Sequence, residues 1–240
     1  MGIVFVATVV RSAFGFGEGL VAVPLLALCL PIKVATPLVA LLSITIAGVV
    51  VIQDWKKIHL RSTGGLLLST VFGIPVGLWL LTSSYPRVIK AALAGIIVAF
   101  SLYSLLTPKP PELKEDHRGW LLGCGFLAGI LGGAYGMNGP PLAVYGAMRR
   151  WSAQHFRATL QGYFLPASVL GLIGYWMAGL WTATVTRDYL IALPAAVPAI
   201  FLGRWINHRM RGNAFLRYVY VGLVGIGVLL LWQAITGATG

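Results

Sequence analysis

The chain has 240 residues, 58% of them hydrophobic and only 10% charged, with a mean hydropathy of +0.85. A soluble domain carries about 25% charged residues, so lipid rather than water must solvate this surface. The net charge of +12 does not point to nucleic acid, because the basic residues stand in short loops between apolar runs, where they set membrane orientation.

The apolar runs are continuous rather than alternating, which argues against a β-barrel and predicts spanning helices. The first apolar stretch, residues 2–13 and 20–30, is broken by Gly15-Phe16-Gly17-Glu18-Gly19. Three longer segments follow at 36–53, 63–83 and 87–106. A polar, proline-containing linker spans 107–118. A second glycine-broken stretch occupies 120–134 and 140–148, and three more segments lie at 157–179, 188–206 and 214–234. The expected organisation is a first transmembrane repeat (1–106), a cytoplasmic linker (107–118) and a second transmembrane repeat (119–240). The opening residues lack the basic n-region of a signal peptide and are expected to stay in the mature chain.

The two halves resemble one another. Gly15–Gly19 followed by Val23-Pro24 answers Gly136-Met137-Asn138-Gly139-Pro140 followed by Val144. Val34-Ala35-Thr36 answers Arg157-Ala158-Thr159, and Ile74-Pro75 answers Val197-Pro198, at an offset of 121–123 residues throughout. A shared order and offset indicate duplication.

Residues 2–13 rise about 18 Å as a helix, against a hydrocarbon core of about 30 Å. The pieces on each side of a break therefore form either one broken span or a hairpin that dips into the bilayer and returns. Charge favours the hairpin. It puts the linker and loops 54–61, 149–157 and 204–217, which hold most of the 18 Lys and Arg, on one side, the cytoplasm. Each half then crosses an odd number of times and the halves are inverted. The expected fold is an all-α polytopic membrane protein of two inverted repeats, each a re-entrant helix hairpin plus three transmembrane helices, an architecture of secondary transporters.

Irregular backbone survives in a bilayer only where it is buried or lines a cavity. In the hairpin reading the second half-helix of each break begins at mid-depth, and its free N–H groups make an anion site. Candidate binding residues are Gly15, Gly17 and Gly19 in the first break, and Tyr135, Gly136, Asn138 and Gly139 in the second. Arg11, the basic residue deep in an apolar segment, suits an oxyanion. Glu18 either carries a proton for coupled transport or forms a static pair with Arg11. Asn138 either binds substrate or caps the following half-helix. Thr36, Thr159 and Gln161 are candidate pathway-lining residues. Trp55, Trp120, Trp151, Trp181 and Trp232 read as interfacial anchors. Scattered histidines and two unpaired cysteines give no metal site or disulfide framework. No catalytic constellation or nucleotide loop appears, so neither an enzyme nor a cofactor is expected.

The stretches GFGEGLVAVPLL, KVATPLVALLS and GAYGMNGPPLAVY…FRATLQGYF resemble the TauE/SafE family of sulfite exporters, over residues 5–235. The resemblance implies an inner-membrane permease for sulfur-containing anions such as sulfite or organosulfonates, working by secondary transport. Glu18 in the first break, and Met137-Asn138 with Pro140-Pro141 in the second, depart from the family's run of glycines and leave the particular substrate open. The alternatives are another small organic or inorganic anion, or a passive anion channel. The expected partners are the small anion and the bilayer, with no nucleic acid, and a homo-oligomer is left open.

Overall fold

Continuous apolar sequence folds here as helix. The structure, a computed structural model, describes residues 1–27, 29–81, 86–106, 112–113, 117–135, 138–177, 179–210 and 212–236. In order, the helices are α1 (Gly2–Phe14), α2 (Glu18–Ala27), α3 (Ile32–Asp54), α4 (Leu60–Leu81), α5 (Pro86–Leu106), α6 (Arg118–Tyr135), α7 (Gly139–Met148), α8 (Ala153–Met177), α9 (Ala183–Arg209) and α10 (Gly212–Thr236). A 3-10 turn, Trp55–Lys57, joins α3 to α4.

Local chemistry fixes several ends. Gly15 stops α1 in the left-handed conformation (φ 87°), with its N–H on the Arg11 carbonyl at 2.7 Å. Glycine adopts that conformation without a Cβ penalty. Pro140 and Pro141 stand in the first turn of α7, where a missing N–H costs nothing. Thr182 caps α9, its hydroxyl accepting from the Val185 N–H.

The helices form two units, each with elements from both sides of the polar linker. One comprises Met1–Thr63 with Ala153–Met210, the other Gly64–Ser152 with Arg211–Gly240. In the first unit α1 and α2 pack against each other, and Val4, Ala7, Ala22 and Leu26 share one apolar cluster with Leu38, Leu42, Ala192 and Ala196. Helix α1 also lies along α9. A Cβ on Gly203 would stand 2.8 Å from the Val9 carbonyl and 3.0 Å from the Ala13 nitrogen, so only glycine permits this approach. Helices α3 and α8 run antiparallel. Ser43 meets Ser168 at 2.7 Å and Asp54 meets Arg157 at 2.7 Å, equal steps in opposite directions along the two helices.

The second unit is also built on small residues. Helix α4 crosses α6 where a Cβ on Gly129 would lie 2.8 Å from Gly73 Cα, and one on Gly125 would lie 2.6 Å from the Leu66 carbonyl. Such contacts pack helices closely where lipid supplies no hydrophobic drive. Helix α10 packs on α5. Every residue of α7 is buried.

The outer faces are apolar. Phe72 and Trp79 on α4, Leu190 and Phe201 on α9, and Val221, Val228 and Ile235 on α10 are all exposed. The segments Val34–Lys57 and Ala183–Arg209 are each long and apolar enough to cross a bilayer.

Two readings of the loops need correction. Arg157 and Arg204, expected in basic loops, lie within α8 and α9. Both reach Asp54, and the carboxylate draws them into helix–helix contacts. Trp151 is not an interfacial anchor. It is 6% exposed and stacks edge-on against Tyr145, centroids 5.7 Å apart. Trp55, Trp120, Trp181 and Trp232 are exposed as expected of anchors. Most of the linker lies outside the described residues.

The α4–α6 crossing yields a prediction. Gly129→Ala must force the helices apart and is expected to cost about 1–3 kcal/mol. Gly123→Ala, whose Cβ meets open space, should be neutral or stabilise by up to about 1 kcal/mol. Thermal unfolding of the two purified variants in detergent checks the contrast.

Candidate functional site

A helix that ends leaves its last carbonyls without intrahelical partners. At the end of α1 these carbonyls are taken by side chains from the second half of the chain. Arg157 Nε donates to the Ser12 carbonyl, Asn207 Nδ2 to the Ala13 carbonyl at 2.7 Å, and Gln161 Nε2 to the Gly15 carbonyl at 3.0 Å. A cation at a helix C-terminus also suits the helix dipole. A Cβ on Gly15 would stand 3.0 Å from Arg157 Cα, so the break itself is shaped to let α8 in.

Arg11 turns inward from the last turn of α1 and is 5% exposed. Its guanidinium has five N–H donors, and each faces an acceptor. Nη1 donates to Glu18 Oε2 and, at 2.7 Å, to Ser43 Oγ. Nε and Nη2 donate to Gln161 Oε1 at 3.1 and 3.0 Å, and Nη2 lies 3.5 Å from the Ser43 carbonyl. The Phe164 ring covers one face, 5.0 Å from Arg11 Cζ. Glu18, 2% exposed, opens α2, where a carboxylate complements the positive end of the dipole. Ser43 is the central residue of the 23-residue α3.

A second ionic cluster lies where the end of α3 meets the start of α8 and the end of α9. Asp54 accepts from Arg157 Nη1 at 2.7 Å on one oxygen, and from Lys57 Nζ at 3.2 Å and Arg204 Nη2 at 3.3 Å on the other. Arg157 also donates from Nη2 to Ser12 Oγ at 3.1 Å, and that hydroxyl donates to the Ile200 carbonyl at 2.7 Å. Arg157 thus joins the α1 break to the ionic cluster.

Of the residues expected at a site, Arg11, Gly15, Glu18 and Gln161 come together in one buried network. Gly17 sits in the same turn with φ 98°, and Gly19 follows in the first turn of α2. Thr159 is buried two residues after Arg157, and its hydroxyl accepts from the His59 N–H at 3.1 Å. Thr36 is half-buried in the second turn of α3. In the second unit, Asn138 makes no side-chain cap to α7; its Cβ packs over Gly132. Gly139 is buried. Gly136 and the Tyr135 side chain lie outside the described residues.

Ser43, Ser168, Asp54, Arg157, Arg204 and Asn207 entered no expected site. Asp54 was the traceable one: an acid closing an apolar run, with the basic residues of three loops expected on its side of the bilayer.

Asp54→Ala would leave the Arg157 guanidinium, 1% exposed, without its counter-ion. Removing one partner of a buried pair costs about 3–5 kcal/mol. Lys57→Ala removes a partly exposed partner and should cost under about 1 kcal/mol. A large fall in apparent Tm for the first variant, and little change for the second, is the expected outcome in detergent.

The chain is 29% identical, over 184 residues, to a protein of Cupriavidus necator named probable sulfite/organosulfonate exporter TauE; the match covers 76% of this chain and 70% of the relative. No solved structure gives a significant match. The family model described as sulfite exporter TauE/SafE matches residues 1–230. The chain therefore belongs to the sulfite exporter TauE/SafE family, a family of membrane transporters.

Proposed function

We propose that this protein exports a small sulfur-containing oxyanion, sulfite or an organosulfonate, by proton-linked secondary transport across the cell's inner membrane. The observation that carries the reading is the buried Arg11. It lies beside the glycine break, at the centre of α3, with Glu18 on its Nη1. An intramembrane cation paired with one carboxylate is a site where an anion and a proton compete on opposite sides of one balance.

The scheme follows from the donors. With Glu18 ionised, all Arg11 N–H groups are engaged and no anion is held. Protonation of Glu18 removes the competing charge and frees one of the two Nη1 hydrogens, and an oxyanion then takes the carboxylate's place. Gln161 stays on the other edge of the guanidinium, and the N–H groups at the start of α2 add their dipole. Loss of the Glu18 proton recloses the pair and expels the anion. Anion and proton bind together, so a monoanion moves without net charge. Export then runs when the internal anion concentration outweighs the inward pull on protons.

The antiparallel pairing of α3 with α8, helices at matching places in the two halves, supports inverted repeats at residues 1–106 and 119–240. The Asp54 end, carrying Lys56, Lys57, Arg204 and Arg209, is read as cytoplasmic, and linker 107–118 is assigned to the same side. The second break, around Asn138 and Gly139, is proposed as an anion-facing N-terminus within its own unit. Thr36 and Thr159 are proposed to lie along the path rather than to hold the anion. The partners are the anion and the bilayer.

The test is uptake of radiolabelled sulfite into proteoliposomes, with organosulfonates and sulfate as competitors and with or without a pH gradient. Saturable uptake competed by organosulfonates is expected. Glu18→Gln, which imitates the protonated state, should keep anion binding and lose the response to the pH gradient. Arg11→Ala should abolish binding. A Glu18→Gln variant with unchanged pH response would remove the proton role, and normal binding by Arg11→Ala would move the site.

A further inference from the structure

The Arg11 network does not end at Ser43. Ser43 Oγ accepts from Arg11 Nη1 at 2.7 Å and lies 2.7 Å from Ser168 Oγ. A guanidinium only donates, and a hydroxyl has one proton and two lone pairs. Arg11 occupies one lone pair of Ser43, and the Ser43 proton is free to point at Ser168. With the Ser43 proton directed at Ser168, the Ser168 proton is available to a further acceptor. Hydrogen bonds in such a chain polarise one another, most strongly when a cation heads it. Ser43 is 7% exposed, whereas Ser168 is half-buried. The pair therefore carries the pull of a buried cation to a partly exposed hydroxyl.

We propose that Ser168 is the outer contact for the transported oxyanion, a positioning and specificity residue that Ser43 polarises. This rests on the anion-transport reading above and adds a step to it. The anion is held first by the Ser168 hydroxyl, one oxygen accepting its proton, while Arg11 is still on Glu18. When Glu18 is protonated, a second oxygen takes the Nη1 hydrogen that Glu18 has left. A pyramidal sulfite or a tetrahedral sulfonate presents three oxygens and satisfies both donors at once. A monatomic anion such as chloride must meet both donors with a single centre and is expected to be held less well.

Sulfite concentration dependence in proteoliposomes tests this, with sulfite-induced thermal stabilisation in detergent as a binding readout independent of flux. Ser168→Ala should raise KM about tenfold, the size of one lost charge-assisted hydrogen bond, with maximal rate nearly unchanged. Ser168→Thr, which restores the hydroxyl, should return KM towards wild type, and Ser168→Cys, a weaker donor, should fall between. Ser43→Ala, which cuts the chain from Arg11, should raise KM as well. Chloride should compete less well than an organosulfonate in the wild type. Saturable wild-type uptake together with an unmoved KM in Ser168→Ala would overturn the outer contact alone. A rise in KM that threonine does not reverse would assign Ser168 to packing. Wild-type protein without saturable sulfite uptake or stabilisation would overturn the transport reading beneath it.

Discussion

A helix that stops inside a bilayer leaves carbonyls that lipid cannot satisfy, and each unmet one costs several kcal/mol. Helix α1 is too short to reach across a bilayer, about 20 Å at 1.5 Å per residue. Its end is buried, and other chain segments complete it. Arg157, Asn207 and Gln161 do this from α8 and α9. Much of the first unit follows from that need. Gly203 lets α9 lie against α1, Gly15 lets α8 reach the break, and Asp54 balances the charge that Arg157 brings in.

The same constraint sets the chemistry. A turn that leaves carbonyls on one side presents N–H groups on the other, at the start of α2, where Glu18 stands. Arg11 and Glu18 neutralise each other across the break they frame. The pair stays ordered because Ser43 and Gln161 complete the guanidinium's hydrogen bonds. A buried ion pair contributes little to stability for the desolvation it costs. In the proposed transport cycle its use lies in exchange, a carboxylate for another anion.

Much of this was legible in the residues. The glycines at 15 and 17 mark the break because positive φ demands them. Arg11 and Glu18 stand out because charge in an apolar run is rare, and Gln161 because an amide there is costly without partners. The rest left no local trace. Ser43 and Ser168 are single hydroxyls in apolar helices, and no periodicity tells a serine that bonds its own backbone from one that reaches across. Arg157 and Arg204 read as loop charges because each stands near other basic residues in sequence. Only long-range packing, of α8 and of α9 against α3, brings them to Asp54. Thr159 had the right place in the repeat, but its hydroxyl serves a neighbouring backbone N–H.

The partners that complete the end of α1 have a consequence for synthesis. Arg157 lies 145 residues beyond Ser12, and Asn207 lies 194 beyond Ala13. At about 5–20 residues per second of translation, the first hairpin waits on the order of ten seconds or more for the groups that satisfy it. During that interval its carbonyls need water or another protein, so the nascent hairpin belongs at the wet mouth of the insertion machinery rather than in lipid. Burial of the first break is then among the last events of biogenesis, although it is among the first parts of the chain to be made.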